Sequence, residues 1–125
     1  MSDVNRGSVE RWLEAYKSAW EERDPAAAGR LFTPEATYRE TPFQDPFEGR
    51  AAIEQYWAGA VASQRDVRFS SEVLACFGSE AIAHWHVEFS VDPGGQTVEL
   101  DGIFRLRFAS DELVDRFEEW WHVRS

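Results

Sequence analysis

An α+β fold, with three N-terminal helices followed by a mostly antiparallel sheet, is predicted by two features of the chain. Apolar residues recur at every third or fourth position through the first half, which is the period of a helix burying one face. From Arg65 onward the period drops to two, the mark of half-buried strands, and the alternating segments are separated by short turn-forming stretches. No internal repeat, low-complexity tract or Pro/Gly-rich linker divides the 125 residues, so a single domain spanning 1–125 is expected.

The elements follow in order. In SVERWLEAYKSAWEERD the stripe Val9, Trp12, Leu13, Tyr16, Ala19 and Trp20 predicts a first helix over about residues 8–23. Asp24 before Pro25 reads as an N-cap and a first helical position, because a proline there forfeits no hydrogen bond. A second short helix is expected over residues 25–32. The stretch ATYRE, residues 36–40, alternates like a strand and then breaks into Thr41, Pro42 and Phe43. In GRAAIEQYWAGAVA the stripe Ile53, Tyr56, Trp57, Ala60 and Val61 predicts the third helix.

Four strands then alternate with turns at Gly78-Ser79-Glu80, Asp92-Pro93-Gly94-Gly95 and Ala109-Ser110-Asp111. AIAHWHVEFSV puts Trp85, Val87, Phe89 and Val91 on one face, and VELDGIFRLRF puts Val98, Leu100, Gly102, Phe104 and Leu106 on one face. Pairing Val91 with Val98 makes the two faces coincide, with Trp85 opposite Phe104 and Val87 opposite Gly102. Pairing Phe108 with Leu113 carries the apolar face on through Phe117, Glu119 and Trp121, and sets Glu119 opposite Gly102. His84, His86, Glu88, Asp101 and Arg105 collect on the other face.

Composition narrows the partners. The 23 acidic against 13 basic residues give a formal charge of −10, which repels phosphate backbones and anionic membrane surfaces, so neither nucleic acid nor a membrane is an expected partner. Cys76 is the one cysteine and has no activating or zinc-ligand pattern around it; it reads as a small buried hydrophobe. The segment MSDVNRGSVERW lacks an apolar signal region, and a cytoplasmic protein is expected. Six tryptophans and nine phenylalanines are many for this length.

RDPAAAGRLFTPEATYRETPF, EGRAAIEQYW, ELDGIFRLRF and EEWW, placed in that order over almost the whole chain, resemble the nuclear transport factor 2-like superfamily. Within it they are most similar to the ketosteroid isomerase and SnoaL-like polyketide cyclase group. The resemblance implies a cone-shaped α+β fold whose curved sheet encloses a pocket. It also implies a tyrosine oxyanion donor at Tyr16, a carboxylate proton-transfer base at Glu40, and pocket-lining aromatics at Trp85 and Trp121. The second oxyanion donor of those isomerases, a protonated acid, corresponds to Phe104, so half of that oxyanion hole is not carried over.

The candidate site is therefore built from two carboxylates among rings. Glu40 is the candidate base, since a carboxylate flanked by apolar groups has its charged form desolvated and its pKa moved toward a useful value. Glu119, on the apolar side of the last strand, is a second acid, a substrate-orienting group, or a core carboxylate bonded to Tyr16 or Tyr38. One of the two is expected to hold a proton at neutral pH. Trp20, Tyr38, Phe43, Trp57, Trp85, Phe104 and Trp121 are the candidate substrate-binding residues, with Pro42-Phe43 closing the rim.

His84 and His86, at strand spacing beside Glu88 and Asp101, form a pattern that can bind a divalent metal. Their place on the outer face, with Ile103 and Trp120, favours a homodimer surface, and neither a metal nor another cofactor is expected. Three functions stay open: proton-transfer catalysis (isomerisation, cyclisation or hydrolysis) on an apolar substrate, non-catalytic binding of an apolar ligand, and docking of a protein partner on the sheet.

Overall fold

A computed structural model of the chain describes residues 4–124. It holds three helices and one six-stranded mixed sheet. Helix α1 runs Arg6–Glu21, two residues earlier at each end than the apolar stripe suggested, because Asn5 rather than Ser8 caps it: the Asn5 side chain accepts from the Ser8 N–H at 2.8 Å. The Asp24 cap forms as expected, accepting from the Ala27 N–H at 3.1 Å. Helix α2 is Pro25–Gly29, shorter than the expected 25–32, because the chain turns at Arg30-Leu31 and Phe32 already begins strand β1, Phe32–Arg39. After the two-residue strand β2, Phe47–Glu48, helix α3 spans Arg50–Val61 with Ile53, Trp57 and Val61 buried and Tyr56 half-buried.

Strands β3 (Gln64–Phe77), β4 (Glu80–Val91), β5 (Gln96–Phe108) and β6 (Val114–Arg124) form the antiparallel meander, and the strand order is β2-β1-β6-β5-β4-β3. Strand β1 joins β6 in parallel, with Tyr38 beside Phe117 and Arg39 beside Glu118. The apolar faces are those expected, but the registers are not. Val91 pairs with Gln96, so Trp85 lies opposite Gly102 and Ala83 opposite Phe104. A bulge between Arg107 and Phe108 resets β5 against β6, so Glu119 lies opposite Phe104 and Gly102 opposite Trp121. Both corrections amount to two residues, which leaves every side chain on its own face.

The inner face of the sheet and the apolar stripe of α1 meet in one aromatic core. Tyr16 sits with its ring 5.4 Å from Phe69, 5.2 Å from Phe104 and 5.9 Å from Phe117, and Trp12 meets Phe32 and Phe108 edge to face. The Trp12 indole N–H donates to the Leu31 carbonyl at 2.9 Å, tying α1 to the start of β1. Cys76 is half-buried on β3, not enclosed. Among the described residues no helix is long and apolar enough to cross a membrane.

Candidate functional site

Glu40 and Glu119 come together through the parallel pairing of β1 with β6. The register that sets Tyr38 beside Phe117 and Arg39 beside Glu118 continues to Glu40 beside Glu119, just past the end of β1. Glu119 is buried, at 6% exposure, and its Oε2 accepts from the Tyr38 hydroxyl at 3.1 Å. The Tyr38 oxygen in turn stands 3.4 Å from that of Tyr16, so with the Tyr38 proton on Glu119 the Tyr16 hydroxyl is the donor in the second bond. Tyr16 and Tyr38 are 1% and 2% exposed, which makes the three groups one internal hydrogen-bonded chain.

Burial pushes the Glu119 carboxyl up to about 8; the Tyr38 hydrogen bond pulls it back down in part, and the neighbouring Glu40 charge pushes it up again. Glu119 is thus the carboxyl that holds a proton at neutral pH. Burial, followed by the Glu119 charge, holds both the Tyr16 and Tyr38 hydroxyls well above the usual phenol range. Tyr56 of α3 belongs to the same set: its hydroxyl is raised by burial, then by the charges of Glu119 and Glu40. The helical stripe located Tyr56 on the buried side of α3, but nothing in the sequence ties it to two carboxylates contributed by other elements.

Glu40 is half-buried, and its backbone carbonyl accepts from the Trp121 indole N–H at 3.2 Å. Neither neighbouring arginine neutralises it. Arg39 donates to the Gln44 carbonyl and faces Glu118, while Arg50 donates to the Phe32 carbonyl at 2.6 Å. The carboxylate that is half-open and the carboxyl that is enclosed are therefore neighbours with opposite protonation preferences, which is the arrangement that separates a base from an acid.

The expected ring wall divides into three groups. Trp20, Trp57, Trp85, Phe104 and Tyr38 are buried and pack on one another and on Tyr16, with Trp85 stacked on Phe104 at 5.0 Å and Tyr38 stacked on Phe117 at 4.2 Å. Trp121 is half-buried at the edge of this core, where Leu100 is also half-buried and Val123 is exposed. Phe43 stands in solvent at 96% exposure and closes no rim, because the proline-flanked loop after Glu40 carries it away from the core.

On the outer face, His84 Nε2 lies 3.0 Å from Asp101 and His86 Nε2 lies 2.5 Å from Glu99, which Arg124 also engages. Candidate ligand atoms of His86, Glu88 and Glu99 lie within 4.8 Å of one another. Trp120, 42% exposed, lies beside Ile103 on that face, as the parity of β6 requires.

Comparison with known proteins agrees with this geometry. The SnoaL-like domain family matches residues 9–116. A steroid Delta-isomerase of Nocardioides simplex is 29% identical over 121 residues, 97% of this chain and 92% of the relative. Among solved structures, the epoxide hydrolase/cyclase-like enzyme SalBIII, from pyran ring formation in the polyether salinomycin, superposes with a TM-score of 0.78 at 21% identity, covering 91% of this chain and 92% of that one. A Catenulispora acidiphila protein with a ketosteroid isomerase-like fold, solved in complex with trimethylamine, superposes with a TM-score of 0.76 at 18% identity, covering 87% and 83%.

Proposed function

Since the chain belongs to the SnoaL-like domain family, we propose that it is a proton-transfer enzyme acting on a small, largely apolar substrate, with Glu40 as base and Glu119 as proton donor. The observation that carries this reading is the pair itself: a half-buried Glu40 beside a buried Glu119 pushed up to about 8. At neutral pH such a pair offers one carboxylate to take a proton and one carboxyl to give one, so a single turnover needs no hydroxide or hydronium from water.

Two reactions use the pair in this way. In a double-bond shift next to a ketone, Glu40 takes the carbon-bound proton, Glu119 donates a hydrogen bond to the enolate oxygen, and Glu40 returns the proton to the far carbon. In ring closure of a hydroxy-epoxide, Glu40 takes the hydroxyl proton as the new C–O bond forms. The epoxide C–O bond breaks and its oxygen receives the Glu119 proton, after which the two neighbouring carboxyls exchange the proton to reset. Likeness to a steroid Delta-isomerase supports the first, and the shared fold with SalBIII keeps the second in view. Tyr38 and Tyr16 act behind Glu119, fixing its orientation and tuning its proton affinity.

The reading is tested with a β,γ-unsaturated ketosteroid, followed by ultraviolet absorbance of the conjugated enone, and a hydroxy-epoxide, followed by chromatography of the cyclic ether. Turnover of either is expected, with Glu40→Gln cutting the rate roughly a hundredfold or more while binding is kept. Turnover that survives Glu40→Gln, or no turnover of either compound, contradicts it.

A further inference from the structure

Tryptophan N–H groups in the interior are paired at three positions. Trp12 donates to the Leu31 carbonyl, Trp20 to Gln64 Oε1 at 2.7 Å and Trp121 to the Glu40 carbonyl. Those of Trp57 and Trp85 are buried with no hydrogen-bond partner among the described residues. Interiors rarely leave a donor unpaired, and where they do the group needs an explanation.

For Trp57 the aromatic neighbours supply one. Its ring meets Tyr16 edge to face, at 5.3 Å and 86°, and Trp20 at 5.9 Å and 64°, so an aromatic face is available to its edge. Trp85 has no such neighbour. It stacks nearly parallel on Phe104 (14°) and Phe69 (16°) and lies tilted at 47° to Trp20, so none of these rings stands perpendicular to it.

The sheet register shows what lies beside Trp85. Across β4, β5 and β6 the inner-face row is Trp85, Gly102, Trp121. The middle place has no side chain, and none fits: a Cβ on Gly102 would run into the Trp120 carbonyl and come within 2.9 Å of the Trp121 Cβ. The next row contains Phe104 and Glu119, and Trp121 reaches from the first row to the backbone of Glu40. An unpaired donor, a missing side chain and the carboxylate pair thus occupy adjoining rows of one surface.

From this we infer that Trp85 Nε1 is a substrate-binding donor, which takes a neutral acceptor oxygen (a ketone, epoxide or ether) of a ligand lying over Gly102 between Trp85 and Trp121. The inference rests on reading this inner face as the substrate site. Neutrality follows from the surroundings: Ser8, Gln64 and Glu119 are the buried polar residues described, none of them cationic, so an anionic oxygen would meet Glu40 and Glu119 without compensation. An ammonium group has no lone pair for the indole to use.

The test uses the full chain with 15N-labelled indoles and two probes of the same outline, 2-acetylnaphthalene and 2-isopropenylnaphthalene, in which CH2 replaces the carbonyl oxygen. The ketone is expected to move the Trp85 Nε1–H resonance downfield and the hydrocarbon to leave it in place. Trp85→Phe is expected to lower ketone affinity about tenfold, to that of the hydrocarbon, without changing hydrocarbon binding.

A Trp85 signal that ignores the ketone, or moves equally with both probes, overturns the inference, as does failure of both probes to bind at millimolar concentration. A response at Trp57 in place of Trp85 overturns it too. If Trp85→Phe does not fold, the wild-type titration decides alone. Because the readout is binding, a ketone-specific shift without turnover sinks the acid–base reading only, and turnover without the shift sinks only this one.

Discussion

Replacing Glu119 by glutamine keeps the side-chain outline and an acceptor for the Tyr38 hydroxyl but removes the ionisation. In the unfolded chain this carboxyl titrates at its ordinary value of 4.5; in the folded protein it titrates at about 8. Between those values the folded state holds a proton that the unfolded chain has released, so stability falls as pH rises. The contribution is fully present below about pH 4.5 and is lost as pH passes through about 8. At about 1.4 kcal/mol per pH unit across this window, the loss is on the order of 5 kcal/mol, comparable to the whole stability of many domains. Glu119→Gln has no such loss. Urea unfolding at a series of pH values from about 5 to 9, run on both proteins, is expected to give similar stability at the acid end and a progressively more stable variant toward the alkaline end. Parallel curves across the range would refute the reasoning, since every other titrating group is common to both chains.

Other consequences follow from the same contacts. Glu40→Gln removes the neighbouring charge that raises Glu119, so the Glu119 carboxyl should titrate below its wild-type value, read by carboxyl 13C NMR. Tyr38→Phe removes the hydrogen bond that lowers Glu119, so the carboxyl should titrate higher, with a stability cost of about 1–2 kcal/mol in urea at neutral pH. Gly102→Ala drives a Cβ against the Trp120 carbonyl and should cost about 1–3 kcal/mol in thermal or urea unfolding, with β5–β6 amides exchanging faster. Asp24→Ala removes the cap of α2 and should cost about 1 kcal/mol without altering the Glu119 titration.

Much of this geometry can be read from the sequence, and its gaps have physical causes. The alternation in AIAHWHVEFSV and VELDGIFRLRF assigns Trp85, Phe104 and His84 to their faces because the side-chain period of a strand is two. The same period makes a two-residue slip invisible. The turn after Val91 closes with the Gly95 N–H on the Val91 carbonyl, which pairs Val91 with Gln96 rather than Val98. The bulge at Arg107/Phe108 is equally silent in the pattern, yet it moves Glu119 from Gly102 to Phe104. Glu40 and Glu119 stand out as carboxylates among rings, but which of them is enclosed depends on the parallel β1–β6 pairing, a contact between distant segments. Phe43 shows the converse: an aromatic residue after a proline looks like a rim, and only the path of the loop shows that it points to solvent.

The central claim, that Glu40 and Glu119 divide the roles of base and acid, is tested most directly by following the glutamate side-chain carboxyl 13C resonances of the full chain as pH is raised. One glutamate is expected to titrate near 8, to vanish in Glu119→Gln and to move to lower pH in Glu40→Gln. If every glutamate has finished titrating by about pH 5.5, as ordinary carboxylates do, Glu119 holds no proton at neutral pH and the acid–base pair is not there.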